Sequence, residues 1–220
     1  MRLSKKNKFY ATGTYGVGLG SKLDYDAKGF TKRKPSASHS INIGIGYGLT
    51  DNIRAELGYA GFYGLKSKAS GQVILGGPTG AQVVKRRLEQ KNAAHAVFAS
   101  TYYDIKNIVT GFEKVTPYVG VGVGVSQTKA GNVYDTTADS NGKFNKPSND
   151  NKQADGLNKT QFAWHVGGGM NYAIDNNIEL NVINYKYNNL GKLHIKDEEN
   201  TITKMKLAVH TVSTGLTFKF

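Results

Sequence analysis

Hydrophobic and polar residues alternate along eight segments of this chain, which is the pattern of β-strands with two unlike faces. In the clearest segment, isoleucines at positions 41, 43 and 45 alternate with Asn42 and two glycines. The alternation of the seventh segment slips beyond Ile183, which indicates a bulge, and the register of the fourth stays open. The predicted strands lie near residues 9–19, 39–49, 53–65, 92–103, 115–127, 160–174, 178–188 and 205–220.

The connections between these strands take turns being short and long. Residues 50–52 and 175–177 form short turns, and the connection near 104–113 is modestly longer. The other four connections are much longer. If the strands are antiparallel, every short turn falls on the side of the termini and every long loop on the other. We therefore predict one all-β domain over residues 1–220: an eight-stranded antiparallel up-and-down transmembrane β-barrel with short periplasmic turns and four long extracellular loops.

The last predicted strand alternates up to an aromatic residue at position 220. An unpaired apolar edge would aggregate, so we expect this strand to close the barrel against residues 9–19. The apolar faces of the strands are expected to meet lipid, with membrane-facing aromatics at Tyr47, Trp164, Tyr172, Phe218 and Phe220. The basic N-terminal residues are followed by no apolar stretch, so we expect no signal peptide within residues 1–220.

The opposite faces of the strands are rich in glycine and polar residues. A barrel of eight strands has room only for side chains that fill it, which explains glycine at every second position. No helix with a phosphate-binding pattern follows these glycines, so they do not indicate a nucleotide site. We expect a closed interior with an ion-paired polar network, in preference to a conducting channel. Its members are predicted to be Asn42, Arg54, Glu56, His165, Asn171 and Glu179.

Candidate catalytic and metal-binding residues are scattered. The five histidines show no metal-ligand spacing and the chain has no cysteine, so we expect no metal, no cofactor and no catalytic residues. Ser38, His39 and Ser40 at a loop rim are the nearest candidates for hydrolytic chemistry. A lipid-modifying barrel enzyme therefore stays open as an alternative, although a protein that is not an enzyme is preferred.

The formal net charge of +13 is concentrated in the first two predicted loops. Clusters of like charge repel one another unless an anion is near. Phosphates of outer-membrane lipid and lipopolysaccharide are one suitable partner, and a sulfated glycan or an acidic host protein is another. Nucleic acid is not expected, because no stacking platform accompanies the charges. The predicted ligand-binding residues are Lys32, Arg33, Lys34, Lys66, Lys68, Lys85, Arg86 and Arg87.

Three short segments carry a family resemblance. Residues 50–59, 116–124 and 162–172 read TDNIRAELGY, TPYVGVGVG and FAWHVGGGMNY. Together with Phe220, they resemble the small outer-membrane barrels of the opacity and OmpX/Ail-like group, and most of all the rickettsial surface adhesins. The resemblance implies a barrel in the bacterial outer membrane whose loops bind host ligands, including serum or matrix proteins such as vitronectin. It transfers no individual contact residue.

The expected function is that of a monomeric outer-membrane surface protein, an adhesin or immune-evasion factor that binds host proteins or glycans through basic extracellular loops. Two alternatives beside the enzyme remain at this point. A structural barrel without a specific ligand has the same sequence pattern. A soluble ligand-carrying barrel would need an apolar interior and a polar exterior.

Overall fold

The computed structural model describes residues 8–20, 30–35, 37–75, 82–106, 114–138, 144, 148, 152–197 and 202–220. Within these ranges the chain forms antiparallel β-strands, and no helix there is long and apolar enough to cross a membrane. The strands are β1 (Phe9–Gly20), β2 (Phe30–Pro35), β3 (Ala37–Gly48), β4 (Ile53–Leu75), β5 (Gln82–Asp104), β6 (Val115–Lys129), β7 (Val133–Thr137), β8 (Lys152–Ala173), β9 (Ile178–Asp197) and β10 (Ile202–Lys219).

Eight of the strands close into a ring. The order around the ring is β4-β3-β1-β10-β9-β8-β6-β5, and β5 pairs again with β4. β1 and β10 join the two ends of the chain from the pair Tyr10–Lys219 to the pair Gly20–Val209. This pairing confirms the predicted closure and the eight-stranded antiparallel barrel. We call the end of the ring with the connections 49–52 and 174–177 the turn end, and the opposite end the loop end.

The two faces of the strands differ as the alternation predicts. Many isoleucine and valine side chains lie exposed on the outer surface, from Ile183 at 42% to Ile45 at 64%. Their neighbours along the strands point into the ring, where Thr217 and Thr211 are buried. β5 takes the register in which Phe98 is buried, which settles the strand whose register the sequence left open.

The irregularity predicted in the seventh strand is a bulge in β9. The pairing of β9 shifts beside both neighbours at this place: Ile183 faces Met170 of β8, whereas Asn181 faces Asn171. Val182 and Ile183 are consecutive in sequence, yet both are exposed on the outer surface. The bulge therefore keeps apolar side chains outside after the strict alternation is lost.

Several strands continue well beyond their predicted bounds at the loop end. β4 and β5 have 23 residues each, compared with 12 in β1 and in β3. β2 pairs with the extension of β4, and β7 with that of β5. We call the resulting sheet, in the order β2-β4-β5-β7, the projecting sheet. Much of what the sequence predicts as long loops is thus regular β-structure.

Two glycines with positive φ, Gly64 in β4 and Gly191 in β9, lie where the strands pass into these extensions. Register shifts occur beside both, between Phe62 and Leu65 and between Lys206 and Ala208. A shift of one residue exchanges the two faces of a strand. Beyond the bulges, Leu65 and Leu193 are buried inside and Lys66 and Lys192 are exposed outside.

Candidate functional site

The half of the interior nearer the turn end is filled by a charged and aromatic network. Arg54 of β4 pairs with Asp104 at the end of β5, at 3.0 Å between Nε and Oδ1. Its guanidinium lies over the rings of Tyr102 and Tyr118, at 4.5 and 4.8 Å from the ring centroids. Ion pairing and contact with aromatic faces together offset the loss of water around a buried cation.

Hydrogen bonds extend this network across the ring. Tyr10 and Tyr102 donate to the two oxygens of Glu56, at 3.1 and 3.2 Å. Arg54 donates to the Tyr10 hydroxyl at 3.4 Å, and Lys186 Nζ donates to the Tyr102 hydroxyl at 3.0 Å. An unbroken series of polar contacts therefore links β9, β5, β4 and β1 through the residues Lys186, Tyr102, Glu56, Tyr10, Arg54 and Asp104.

The other predicted members of the interior network lie in separate, smaller groups. Asn42 donates to Thr14 at 3.0 Å, and the Asn171 side chain accepts from Asn181 at 3.0 Å. His165 Nε2 lies 2.9 Å from the Ser100 hydroxyl. Glu179 is paired with Lys219 close to the turn end.

Sequence reasoning did not place Asp104, Lys186 and Tyr102 in the network. Asp104 falls at the start of the predicted connection 104–113, and the alternation around Lys186 is interrupted by the bulge in β9. A signal was nevertheless present, because Tyr102 and Asp104 share the face of β5 that carries Phe98.

The half of the interior nearer the loop end holds a large apolar cluster beside buried hydroxyls such as those of Ser38 and Ser40, whereas a fully polar interior is expected there. The members of the cluster come from strands around the whole ring and include Phe62, Leu190, Leu193 and Val209, each fully buried. We call these residues the apolar plug. The glycine bulges add Leu65 and Leu193 to it, because they turn these two leucines inward where the outer surface becomes basic.

A barrel filled in this way should not conduct ions. A cavity of about 40 Å³ lies among the polar residues around Asn42 and His165, and the apolar plug lies between it and the loop end. We expect no stable channels when the purified protein is added to planar bilayers, because the space holds a water molecule or two and no continuous file of ions. Long-lived openings of substantial conductance would contradict the closed interior.

The outer surface carries the predicted aromatic residues at two levels. Near the turn end, Phe9 packs against Tyr47 and Phe220, at 4.7 and 6.5 Å between ring centroids. Tyr172 and Phe218 are exposed on the same outer face. Trp164 lies closer to the loop end, 5.4 Å from Tyr187.

Three tyrosine–histidine pairs lie on the outer surface at the aromatic level nearer the loop end. The hydroxyls of Tyr15, Tyr59 and Tyr185 lie within 2.7 Å of the Nδ1 atoms of His39, His95 and His210, respectively. Rings with an apolar body and a polar edge favour the boundary between lipid and water. The aliphatic surface between the two aromatic levels therefore corresponds to the hydrocarbon layer.

Ser38, His39 and Ser40 do not form a catalytic group. Ser38 and Ser40 are buried inside the ring, and the Ser38 hydroxyl donates to the Gly18 carbonyl at 3.1 Å. His39 is exposed outside and bonded to Tyr15. Adjacent residues of a strand point to opposite faces, so this histidine cannot reach either hydroxyl.

The predicted ligand-binding residues come together in the projecting sheet. Lys32, Arg33 and Lys34 belong to β2, and the others belong to the extensions of β4 and β5. Lys34 faces Lys68, and Ser70 lies between Lys32 and Arg87 in one cross-strand row. Two basic runs far apart in sequence are thus separated by a single strand.

The described side chains of the projecting sheet differ in their exposure and in their contacts. Lys66 and Lys85 are exposed. Arg87 is held by Glu89 at 3.5 Å and lies 3.7 Å from the ring centroid of Phe144. The side chains of the other five predicted residues lie outside the described atoms.

A closed ring with an apolar outer belt, aromatic residues at both edges and a filled interior with a polar network defines a β-barrel of the outer-membrane type. The chain belongs to the outer membrane protein beta-barrel domain family, whose model matches residues 2–220. It is therefore an outer-membrane protein. The apolar outer face also rules out the soluble ligand-carrying barrel.

Two curated relatives and one solved structure are similar to this chain. The 31 kDa outer-membrane immunogenic protein of Brucella melitensis is 35% identical over 102 residues, which are 44% of this chain and 42% of the relative. Outer membrane protein PagN of Salmonella typhimurium is 32% identical over 126 residues, or 54% and 46% of the two chains. The chain thus spans less than half the length of these relatives.

The crystal structure of Neisserial surface protein A has a TM-score of 0.55 and 18% sequence identity, and the match covers 96% of this chain and 97% of that one. It supports the fold alone.

Proposed function

We propose that this protein is a non-enzymatic adhesin or immune-evasion factor that captures an anionic host ligand on the projecting sheet. The observation that carries the proposal is the meeting of two basic runs, residues 32–34 and 85–87, on strands that both pair with β4. Each run by itself is an ordinary solvated segment. Together they form a basic surface on a folded support.

The spacing of this surface suits an extended anionic chain. Adjacent strands lie about 4.8 Å apart, so β2 and β5 are separated by roughly 10 Å. Both runs are therefore within reach of successive sulfate groups of a glycan, or of one acidic patch on a serum or matrix protein. Long-range attraction brings the ligand to the surface, and Phe144 beside Arg87 supplies an apolar contact.

The sharper form of the proposal is that the ligand is a sulfated glycan or an acidic host protein, bound by a monomeric barrel. The likeness to the rickettsial surface adhesins suggested by residues 50–59, 116–124 and 162–172 supports a host ligand. The relative in Brucella melitensis is named an immunogenic outer-membrane protein, which is in keeping with a surface-exposed role.

The test is binding of the detergent-purified protein to immobilised heparin, a sulfated polysaccharide. Replacing Lys85, Arg86 and Arg87 with glutamine should weaken binding by about tenfold or more at physiological salt, with a smaller loss at high salt where charges are screened. The matched control replaces Lys8, Lys106 and Lys114, three lysines exposed at the turn end, and should bind as the unmodified protein does.

Equal binding by the two triple variants would show that the projecting sheet is not the binding surface. If the unmodified protein binds neither heparin nor host cells, a structural barrel without a specific ligand is the correct description. Adding residues 32–34 to the neutralised set should deepen the loss, because they lie one strand away from residues 85–87.

A further inference from the structure

A second basic surface lies on β9 and β10, separated from the projecting sheet by β8, which pairs with both β7 and β9. Lys192 faces Lys206 directly across the two strands, His194 faces Lys204, and Lys196 is next along β9. All four lysines are exposed. We call them the β9–β10 lysine surface.

The facing pair Lys192–Lys206 is unfavourable in the absence of a counterion. Like charges directly opposite on neighbouring strands destabilise a sheet. None of the ion pairs formed among the described residues involves either lysine. The nearest described carboxylate on β8 is Asp155, which faces Lys196 and pairs with Lys152 at 3.1 Å. An anion between Lys192 and Lys206 would remove the repulsion.

The level of this surface along the barrel indicates which anion is available. Next to it, toward the turn end, Tyr185 and Tyr187 surround His210, with the Tyr185 hydroxyl 2.7 Å from Nδ1 and the Tyr187 ring centroid 5.0 Å away. Further toward the turn end the surface is aliphatic, with Val182 and Val212 exposed. From the turn end to the loop end, the outer surface is therefore aliphatic, then aromatic and then charged. A bilayer leaflet has the same order, from hydrocarbon through the interface to the charged headgroups.

The inner side of the same strands explains why the lysines have no role in the interior. Leu193 and Met205 face each other and are buried in the apolar plug, while the residues on either side of them in sequence point outward. Gly191, with φ of 87°, forms the bulge in β9 after which Leu193 points inward and Lys192 points outward. The bulge thus turns Lys192 and Lys196 of β9 outward, beside Lys204 and Lys206, which point outward through the regular alternation of β10.

We propose that the β9–β10 lysine surface binds the phosphate group of an outer-leaflet lipid, with Lys192 and Lys206 acting as a clamp on one phosphate. Opposite Cβ atoms of an antiparallel pair lie about 5 Å apart, so both ammonium groups can donate to the same phosphate oxygens. The lipid is of the lipid A class, since phosphorylated glycolipid is the anionic lipid of the outer leaflet. This site is separate from the host-binding surface proposed above.

The experiment compares the thermal unfolding of the full chain in two kinds of vesicle. One kind contains phosphatidylcholine alone, and the other contains in addition lipid A with its phosphates. In plain vesicles the K192Q/K206Q variant should unfold at the same temperature as the unmodified protein or a higher one, because repulsion is removed. In lipid A vesicles the order should reverse. Titration with lipid A should give roughly 10- to 30-fold weaker binding for the variant.

Three controls decide the outcome. The K192R/K206R variant keeps the charges and should bind lipid A as the unmodified protein does. Lipid A without phosphates should bind the unmodified protein and K192Q/K206Q equally. The variant with Lys106 and Lys114 replaced by glutamine should show no change, since these exposed lysines lie at the turn end.

The proposal is overturned if K192Q/K206Q binds phosphorylated lipid A as tightly as the unmodified protein. It is also overturned if K192Q/K206Q instead loses binding to heparin, which would assign these lysines to a host glycan. The projecting-sheet variant at residues 85–87 should keep its affinity for lipid A. Failure of the lipid site and failure of the host-binding site are therefore distinguished.

Discussion

Replacing Phe62 with alanine should lower the free energy of unfolding by about 3–5 kcal/mol, the cost typical of deleting a fully buried aromatic side chain. Phe62 has no exposed surface and belongs to the apolar plug, which draws side chains from strands around the ring. Neighbouring side chains cannot collapse into the space, because they are fixed to the wall of a closed barrel.

The measurement is urea-induced unfolding in lipid vesicles, followed by the fluorescence of Trp164, the single tryptophan of the chain. Leu57 provides the matched control, since its side chain is 56% exposed on the outer face. In Leu57→Ala, lipid chains occupy the vacated space and no cavity remains, so the loss should be much smaller. Equal losses for the two variants would show that the plug does not contribute to stability.

Replacing Arg54 with methionine should also destabilise the protein by about 3–5 kcal/mol, because removal of one partner leaves the other charge buried and unpaired. The side chains of Arg54 and Asp104 are only 15% and 17% exposed. The loss comes from Asp104 without its counterion and from the Tyr10 hydroxyl without one of its donors.

A double-mutant cycle separates the ion pair from the rest of the network. Asp104→Asn alone should be destabilising, and the Arg54→Met/Asp104→Asn variant should be more stable than the sum of the single losses predicts. The same urea titration provides all four free energies. Strict additivity would mean that the contacts with Tyr102 and Tyr118, and not the ion pair, account for the effect of Arg54.

The membrane-spanning part of the fold follows from alternation because a strand has only two faces. From Ile41 to Ile45, odd-numbered residues face outward and even-numbered residues face inward, as the alternation predicts. The closing pair β1–β10 follows from the need to cover an apolar edge. The same rule was available for Ser38 and His39. Consecutive residues of a strand cannot converge, so their separation required no structure.

The loop-end half of the barrel was harder to predict because the alternation of inward and outward residues is broken at two glycines. Gly64 and Gly191 each insert one residue, after which the positions expected inside lie outside. The inward positions of Leu65 and Leu193 and the outward positions of Lys66 and Lys192 depend on this change. Their sequence signal is local: a glycine followed within two residues by a lysine and a leucine that would otherwise point the wrong way.

The positions of the basic residues illustrate a different limit. A run such as residues 85–87 is visible in the sequence, but its distance from residues 32–34 depends on which strands pair beyond the ring. β2 lies beside β4 because it continues the β3–β4 ladder in the same register: His39 of β3 pairs with Tyr63, and Pro35 of β2 pairs with Ser67. The sequence pattern does not show how far a hairpin continues beyond the residues that alternate clearly, and both basic runs lie in such continuations.

Closure of the ring through β1 and β10 sets the order in which the molecule can assemble. Thr12 and Thr217 share a hydrogen bond across 205 positions of the chain, so the wall is completed only when its most distant segments meet. Contacts at such separation make folding slow, and until they form both end strands remain open edges. The time during which this barrel is prone to misassembly therefore lasts until its first and last strands pair.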